Sequence, residues 1–96
     1  MLILVTYDVS LQSLRGQKRL RRVAKICTNY GIRVQNSVFE CIVDQAQFLV
    51  LRSKLLKEID PQCDSIRFYR LGNNYTEKVE HYGFAPDVQV DEPLIL

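Results

Sequence analysis

Apolar and polar positions divide this chain into segments of strand and helix length. Residues 2–8 form a nearly continuous apolar run that ends on the carboxylate of Asp8. Side chains branched at Cβ favour a pleated backbone, and a continuous apolar run of this length predicts a strand that is covered on both faces. A polar loop over residues 9–15 follows, and its position directly after a strand favours a functional role.

The next stretch has the period of an amphipathic helix, from about Gly16 to Tyr30. At about 100° per residue, its apolar side chains share one stripe, namely Leu20, Val23, Ala24, Cys27 and Tyr30. Cations gather on the opposite side of the helix, namely Lys18, Arg21, Arg22 and Lys25. Gly31 is expected to end the helix in the left-handed conformation.

Residues 32–43 predict β structure in which the role of Asn36-Ser37 stays open. If this pair is a turn, the segment is a hairpin; if it is a bulge, the segment is one long bent strand. Asp44 and Gln47 resemble a capping box, which opens a second helix that runs to about Ile59. Residues 66–71 predict a further strand. The buried stripe predicted for the second helix is Phe48, Leu51, Leu55, Leu56 and Ile59.

The predicted elements follow in the order strand, helix, hairpin, helix, strand. This βαββαβ order indicates an α+β, ferredoxin-like fold over residues 1–72, with both helices on one face of an antiparallel sheet. The other sheet face then needs a cover, and because a second copy of the chain would supply one, we expect a homodimer. Residues 73–96 form a C-terminal extension, which we expect to add an extra strand and to pack on the partner subunit.

Charge is divided unevenly along the 96 residues, although the formal net charge is only +2. Residues 1–39 carry seven basic side chains and a single acid, Asp8, whereas residues 40–96 carry six basic and ten acidic side chains. A row of cations without anions predicts a phosphate-bearing partner, and an ordinary solvated helix face is the alternative.

The length of the apolar segments also indicates the cellular compartment in which the protein is expected. No apolar stretch approaches the roughly 20 residues that cross a bilayer. The chain opens on its first strand without a basic leader. We therefore expect a cytoplasmic protein with no membrane partner.

Four features together resemble one known protein family. They are Val5-Thr6-Tyr7-Asp8-Val9, the basic helix, Val34-Gln35-Asn36-Ser37-Val38-Phe39-Glu40 and Phe68-Tyr69-Arg70-Leu71-Gly72. In this order and spacing they are similar to the small CRISPR-associated adaptation protein, the Cas-two family, over nearly the whole chain. The resemblance implies a ferredoxin-like homodimer that binds duplex DNA together with the CRISPR integrase during spacer acquisition. It also implies a metal-dependent endonuclease, and reported substrates in the family divide between single-stranded RNA and double-stranded DNA.

Asp8 matches the catalytic, metal-linked aspartate of that family. A hard cation, Mg²⁺ or alternatively Mn²⁺, suits phosphodiester hydrolysis without a histidine because it polarises the phosphate and lowers the pKa of a bound water. One carboxylate is a poor metal site, so we expect Asp8 of the partner subunit to complete it. An ordinary turn residue is the alternative role for Asp8.

Other side chains are predicted to serve this centre. Phosphates flanking the cut would be held by Arg15 and Arg19, and more distant phosphates by the remaining nucleic-acid-binding candidates, Lys18, Arg22 and Lys25. The candidates for lining the dimer cleft are Tyr7, Ser10 and Phe39. Plain core packing is the alternative for the two aromatic rings.

Three functions stay open on this reasoning. The favoured one is a metal-dependent endonuclease that acts on double-stranded DNA. The second is a non-catalytic, dimeric DNA-binding adaptor for the integrase, and the third is a single-stranded-RNA endoribonuclease. The first two can hold together, because a role in adaptation does not require Asp8 to cut anything.

Overall fold

One antiparallel sheet with two helices organises the computed structural model, which describes residues 1–9 and 13–83. The elements are β1 (Leu2–Asp8), α1 (Leu14–Thr28), β2 (Gly31–Gln35), β3 (Val38–Ile42), α2 (Gln45–Glu58), β4 (Ser65–Gly72) and a 3₁₀ turn (Tyr75–Glu77). The strands lie in the order β2-β3-β1-β4, and each neighbouring pair is antiparallel. The predicted ferredoxin-like α+β fold is therefore confirmed.

Alternation along β1 sorts its side chains to the two faces of the sheet. Ile3, Val5 and Tyr7 are buried in the core beneath the helices, whereas Asp8 is exposed on the opposite face. The core also includes side chains from both helices and β3, namely Leu20, Val23, Ala24, Cys27, Phe39, Cys41, Phe48, Leu51 and Leu55. We name the opposite face the open face. It comprises Leu2, Leu4, Thr6 and Asp8 with their register partners Val38, Glu40, Ile42, Ser65, Arg67 and Tyr69.

Side-chain caps explain where both helices begin. The Ser13 Oγ accepts a hydrogen bond from the Gly16 amide at 3.0 Å, so α1 begins two residues earlier than predicted. The predicted capping box is confirmed. The Asp44 carboxylate accepts from the Gln47 amide at 2.7 Å, and the Gln47 side chain accepts from the Asp44 amide at 2.9 Å.

One position of the stripe predicted for α2 is wrong. Leu56 is 51% exposed, whereas Phe48, Leu51 and Leu55 are buried. Leu56 lies about 100° around the helix from the buried Leu55. Its side chain therefore points toward solvent.

Gly31 does not end α1 in the left-handed conformation, as its sequence context predicted. It is the first residue of β2, and the positive φ angles within residues 1–9 and 13–83 belong to Gly72 and Gly83. A Cβ at Gly31 would lie 1.8 Å from the carbonyl oxygen of Glu40 on β3. The glycine is therefore required because β2 and β3 approach each other closely.

The structure decides the role of Asn36-Ser37. The pair is a turn between β2 and β3, so the segment is a hairpin. A bulge occurs one step earlier, because the register shifts between Arg33 and Gln35.

Beyond β4, the side chain of Lys78 donates a hydrogen bond to the Leu71 carbonyl at 2.8 Å, which holds the 3₁₀ turn against the end of the strand. The extra strand predicted within residues 84–96 lies outside the described residues. The domain boundary at residue 72 and the homodimer stay predictions. No helix in residues 1–9 and 13–83 has the length and apolar character to cross a membrane.

We expect Gly31→Ala to lower the free energy of unfolding by about 1–3 kcal/mol, because a backbone atom must move to admit the added methyl group. Gly83→Ala is the matched control, since a Cβ there meets nothing within 4 Å and adds only left-handed backbone strain. Urea unfolding measures both variants. An equal loss in the two would contradict the close approach of β2 and β3.

Candidate functional site

Asp8, the last residue of β1, borders a polar cavity of about 310 Å³ on the open face. The sheet order sets β3 and β4 on either side of β1, so three segments contribute to the wall. The lining residues are Thr6, Tyr7, Asp8, Ser37, Ser65, Arg67 and Tyr69. A backbone hydrogen bond of 2.8 Å from the Tyr7 amide to the Ser37 carbonyl fixes the end of β1 to the β2–β3 turn. The cavity thus combines a carboxylate, several hydroxyl groups and a guanidinium.

The oxygen atoms that line this cavity could supply part of the ligand set of a Mg²⁺ ion. Within residues 1–9 and 13–83, no group of three or more His, Cys, Asp or Glu side chains could hold a metal ion. Asp8 supplies a carboxylate, and Thr6, Ser37 and Ser65 add hydroxyl oxygens. Mg²⁺ usually keeps several waters and takes one or two carboxylates together with substrate phosphates. The described residues of one chain therefore form no closed metal site, and their oxygen atoms fit a Mg²⁺ ion that is also held by substrate or by a second chain.

Tyr7 points to the other side of the sheet from Asp8 and belongs to a buried polar cluster. Its hydroxyl donates a hydrogen bond to Asp64, whose side chain is 0% exposed. Arg19 donates to the same carboxylate through Nε at 2.7 Å and through Nη2 at 3.1 Å, and the Asp60 amide donates at 2.9 Å. This Asp64 cluster, formed by Tyr7, Arg19, Asp64 and the Asp60 amide, joins β1, α1 and the loop before β4.

Protonation in the Asp64 cluster follows from these contacts. Burial opposes ionisation of Asp64, but hydrogen bonds from Arg19, the Asp60 amide and Tyr7 outweigh it and hold the pKa of the carboxyl below its usual range. Burial, with the hydrogen bond to Asp64, raises the pKa of Tyr7. The hydrogen bond to Asp64 also raises the pKa of Arg19. The cluster is therefore an Arg19–Asp64 ion pair to which a neutral tyrosine donates.

Several sequence-predicted site residues lie away from the open face. Phe39 is 0% exposed in the core, and the hydroxyl of Tyr7 is directed to Asp64, although Tyr7 also borders the Asp8 cavity. Arg19 was predicted to hold a phosphate flanking the cut. Its side chain is 13% exposed and paired with Asp64, because a buried carboxylate requires a countercharge. Ser10 lies outside the described residues.

Exposed cations of α1 form a second surface. A groove of about 320 Å³ is lined by Lys18, Arg21, Arg22 and Lys25. Arg22 is paired with Glu58 at 2.7 Å, so we define the basic row as Lys18, Arg21 and Lys25. Arg15 is exposed near the start of the same helix. Because α1 packs its opposite stripe on the sheet, the basic row faces away from the open face that carries Asp8.

Comparison with known proteins agrees with this fold and with the motif pattern. The family model described as CRISPR associated protein Cas2 matches residues 1–79. The chain belongs to the Cas2 family. The resemblance seen in the sequence motifs is thereby confirmed.

Similar Cas2 proteins match most or all of the chain. The CRISPR-associated endonuclease Cas2 of Halalkalibacterium halodurans is 59% identical over 95 residues, which are 99% of each chain. The CRISPR-associated endoribonuclease Cas2 of Chlorobaculum tepidum is 57% identical over 96 residues and is matched over 100% of both chains. The crystal structure of Streptococcus pyogenes Cas2 at pH 6.5 has a TM-score of 0.79 and 54% identity over 86% of this chain and 100% of that chain.

Sequence reasoning on this Cas2 chain missed three polar residues near Asp8. Ser65 and Arg67 share the open face with it because β1 and β4 pair Asp8 with Ser65 and Thr6 with Arg67. Alternation along β4 was visible in the sequence, but the pairing register was not. Asp64 lies 57 residues from Tyr7 and 45 from Arg19, so no local pattern announces its contacts.

We expect Asp64→Asn to lower the free energy of unfolding at pH 7 by on the order of 3 kcal/mol, because the amide lacks the charge on which the buried hydrogen bonds converge. Tyr7→Phe removes a single neutral donor and should cost about 1 kcal/mol.

The loss of stability in Asp64→Asn should depend on pH. The folded pKa of Asp64 lies below the unfolded value of about 3.9. Its stabilising contribution is therefore present above about pH 4 and is lost as the pH falls through the folded pKa. Urea unfolding from pH 3 to 7 should show that the difference in the free energy of unfolding between wild type and Asp64→Asn becomes smaller in acid. A constant difference would contradict the ion pair.

Proposed function

We propose that this chain is a metal-dependent endonuclease that hydrolyses phosphodiester bonds through Asp8 and acts in CRISPR adaptation in the cytoplasm. The observation that carries the proposal is the exposed Asp8 carboxylate at a cavity lined by hydroxyl groups and a guanidinium. Names of similar Cas2 proteins support nuclease activity, since the H. halodurans protein is called an endonuclease and the C. tepidum protein an endoribonuclease.

A homodimer would complete this centre. The open face and the adjoining strand β2 carry partly buried apolar side chains that a second copy would cover, namely Leu4, Ile32, Val38 and Ile42. Two-fold symmetry would then bring Asp8 of the partner subunit to the same interface. Mg²⁺, or Mn²⁺ in its place, would be held by these carboxylates and by phosphate oxygens, and when bound it supplies Lewis-acid polarisation of the scissile phosphate.

Hydrolysis adds one water molecule across one ester bond. The water oxygen bonds to phosphorus, the P–O bond to the leaving nucleoside breaks, and a proton from the water ends on the leaving oxygen. Asp8 orients the reacting groups from the end of β1, and the hydroxyls of Ser37 and Ser65 are donors for phosphate oxygens. The basic row faces away from Asp8, so it can hold only phosphates distant from the cleaved bond, by charge.

Double-stranded DNA is the substrate that we favour. Lys18 and Lys25 bracket two turns of α1, a length of about 10 Å, over which a duplex presents several phosphates without regard to sequence. Single-stranded RNA is the second candidate, because the C. tepidum relative is named for endoribonuclease activity. The experiment below therefore presents both.

A second function, a non-catalytic DNA-binding adaptor for the CRISPR integrase, is favoured by one observation. The basic row and Asp8 lie on opposite sides of the layered fold. Nucleic acid held on α1 need not reach Asp8, so binding and cleavage can operate separately.

Asp8→Asn should slow Mg²⁺-dependent cleavage of labelled duplex DNA or single-stranded RNA by at least about 100-fold, because the substitution removes the charged ligand while keeping the shape. EDTA should abolish cleavage by the wild type. Glu77→Gln, a neutralised exposed carboxylate on the 3₁₀ turn, is the matched control and should cleave normally. Cleavage that persists in Asp8→Asn would remove Asp8 from the mechanism. Absence of any cleavage by the wild type, with intact DNA binding, would favour the adaptor.

Replacing Lys18, Arg21 and Lys25 by Gln should weaken duplex binding and flatten its dependence on salt, by about 0.9 in slope for each lost phosphate contact. Lys57→Gln, a single neutralised cation on exposed α2 surface, serves as the control. Fluorescence anisotropy across a salt series in EDTA provides the measurement. An unchanged slope in the triple variant would reduce the basic row to a solvated helix face.

A further inference from the structure

Arg67 is the guanidinium that lines the Asp8 cavity, and sequence reasoning assigned it no role. It lies on β4 opposite Thr6, two register positions from the Asp8–Ser65 pair. Side chains two residues apart on a strand point to the same face. Arg67 and Asp8 therefore both project from the open face at the same end of the sheet.

Arg67 is exposed, and no carboxylate neutralises it within the part of the chain that the structure describes. The ion pairs there join Arg19 to Asp64 and Arg22 to Glu58. The contact recorded for Arg67 is a long hydrogen bond of 3.4 Å from Nη1 to the Tyr69 hydroxyl. Most of the donor fork of its guanidinium is thus available to a ligand.

Neighbouring groups define what that ligand can be. Thr6, Ser37 and Ser65 bring small hydroxyl donors to the same cavity, and the volume of about 310 Å³ accommodates a phosphate group. A guanidinium presents parallel N–H donors that match two oxygens of a phosphate. Asp8 would repel such an anion unless a divalent cation lies between them, which is the arrangement inferred above.

We propose that Arg67 binds the nonbridging oxygens of the phosphodiester that is cleaved at Asp8. This inference rests on the proposed nuclease function and adds a second phosphate contact to it, independent of the basic row. The N–H donors of Arg67 would stabilise the negative charge on those oxygens in the transition state. The contact therefore acts on the rate of the chemical step as well as on affinity. The contact does not involve the sugar, so it serves DNA and RNA alike.

Arg67→Gln, Arg67→Lys and Arg70→Gln separate this role from a general loss of positive charge. Arg70 is the matched control because it is exposed on the same strand but stacks over the Phe48 ring at 4.6 Å on the helix-covered side. In single-turnover cleavage with Mg²⁺, Arg67→Gln should be about 10- to 100-fold slower. Arg67→Lys should recover part of the loss, and Arg70→Gln should match the wild type.

Asp8→Asn in the same assay distinguishes the failure of this inference from the failure of the proposed function. If Asp8→Asn is inactive while Arg67→Gln cleaves like Arg70→Gln, the role of Arg67 is overturned and the nuclease proposal stands. If Asp8→Asn still cleaves, the nuclease proposal fails, and the phosphate contact is judged by binding alone.

Binding is measured in Asp8→Asn protein with EDTA, where carboxylate repulsion is absent, by following the Nε–H resonances of the arginines as a short DNA duplex is added. The Arg67 resonance should shift and the Arg70 resonance should not. An unmoved Arg67 resonance overturns the inference. The mass of Arg67→Gln in solution is determined alongside. A change in oligomeric state would assign Arg67 to a subunit contact and would also overturn the inference.

Discussion

The candidate site depends on the buried Arg19–Asp64 ion pair, to which the Tyr7 hydroxyl donates a further hydrogen bond. An ionised carboxylate with no exposed surface is tolerable only if several donors converge on it, and here they come from β1, α1 and the loop before β4. α1 and the loop before β4 therefore meet at the end of β1. Because the backbone alternates, holding Tyr7 inward directs Asp8 outward. The interior contact thus determines where the exposed carboxylate stands.

Elements specified by neighbours in sequence could be predicted, and contacts between distant elements could not. The Asp44–Gln47 capping box and the buried side of α1 follow from spacing, and both are present. Helical periodicity separated Arg19 from the cations opposite the apolar stripe and predicted a role for it near Asp8, but nothing nearby marked it as the partner of a buried carboxylate. Its pairing depends on Asp64, 45 residues away, and on the loop that brings Asp64 beneath α1. The pairing of Asp8 with Ser65 needed the register of β4 as well.

Gly31 shows the same limit in another form. A glycine directly after a helical pattern suggests a left-handed helix end, since that is the commonest local reason for glycine there. The reason found is non-local, because the Glu40 carbonyl on the neighbouring strand occupies the space that a side chain would need. Sequence position identified the residue as special and did not reveal which constraint made it so.

Polarity changes along the open face in a way that bears on how a second copy could sit. Leu4 and Ile42 lie toward the start of β1, whereas Thr6, Asp8, Ser65 and Arg67 lie toward its end. Opposite Leu4, burial raises the pKa of Glu40, and nearby His81 partly offsets this effect, so the chain after β4 already approaches the apolar half. A dimer contact centred on that half would bury the apolar surface of Leu4 and Ile42, with Glu40 as the ionisable side chain that it must accommodate. The polar half would then remain as a cleft with carboxylate, hydroxyl and guanidinium groups facing solvent.

An interface centred on the polar half would instead bury Arg67 and Asp8 without an ion pair between them, at a far higher cost in free energy. In the dimer proposed above, a contact centred on the apolar half would therefore leave Asp8 accessible to a phosphate.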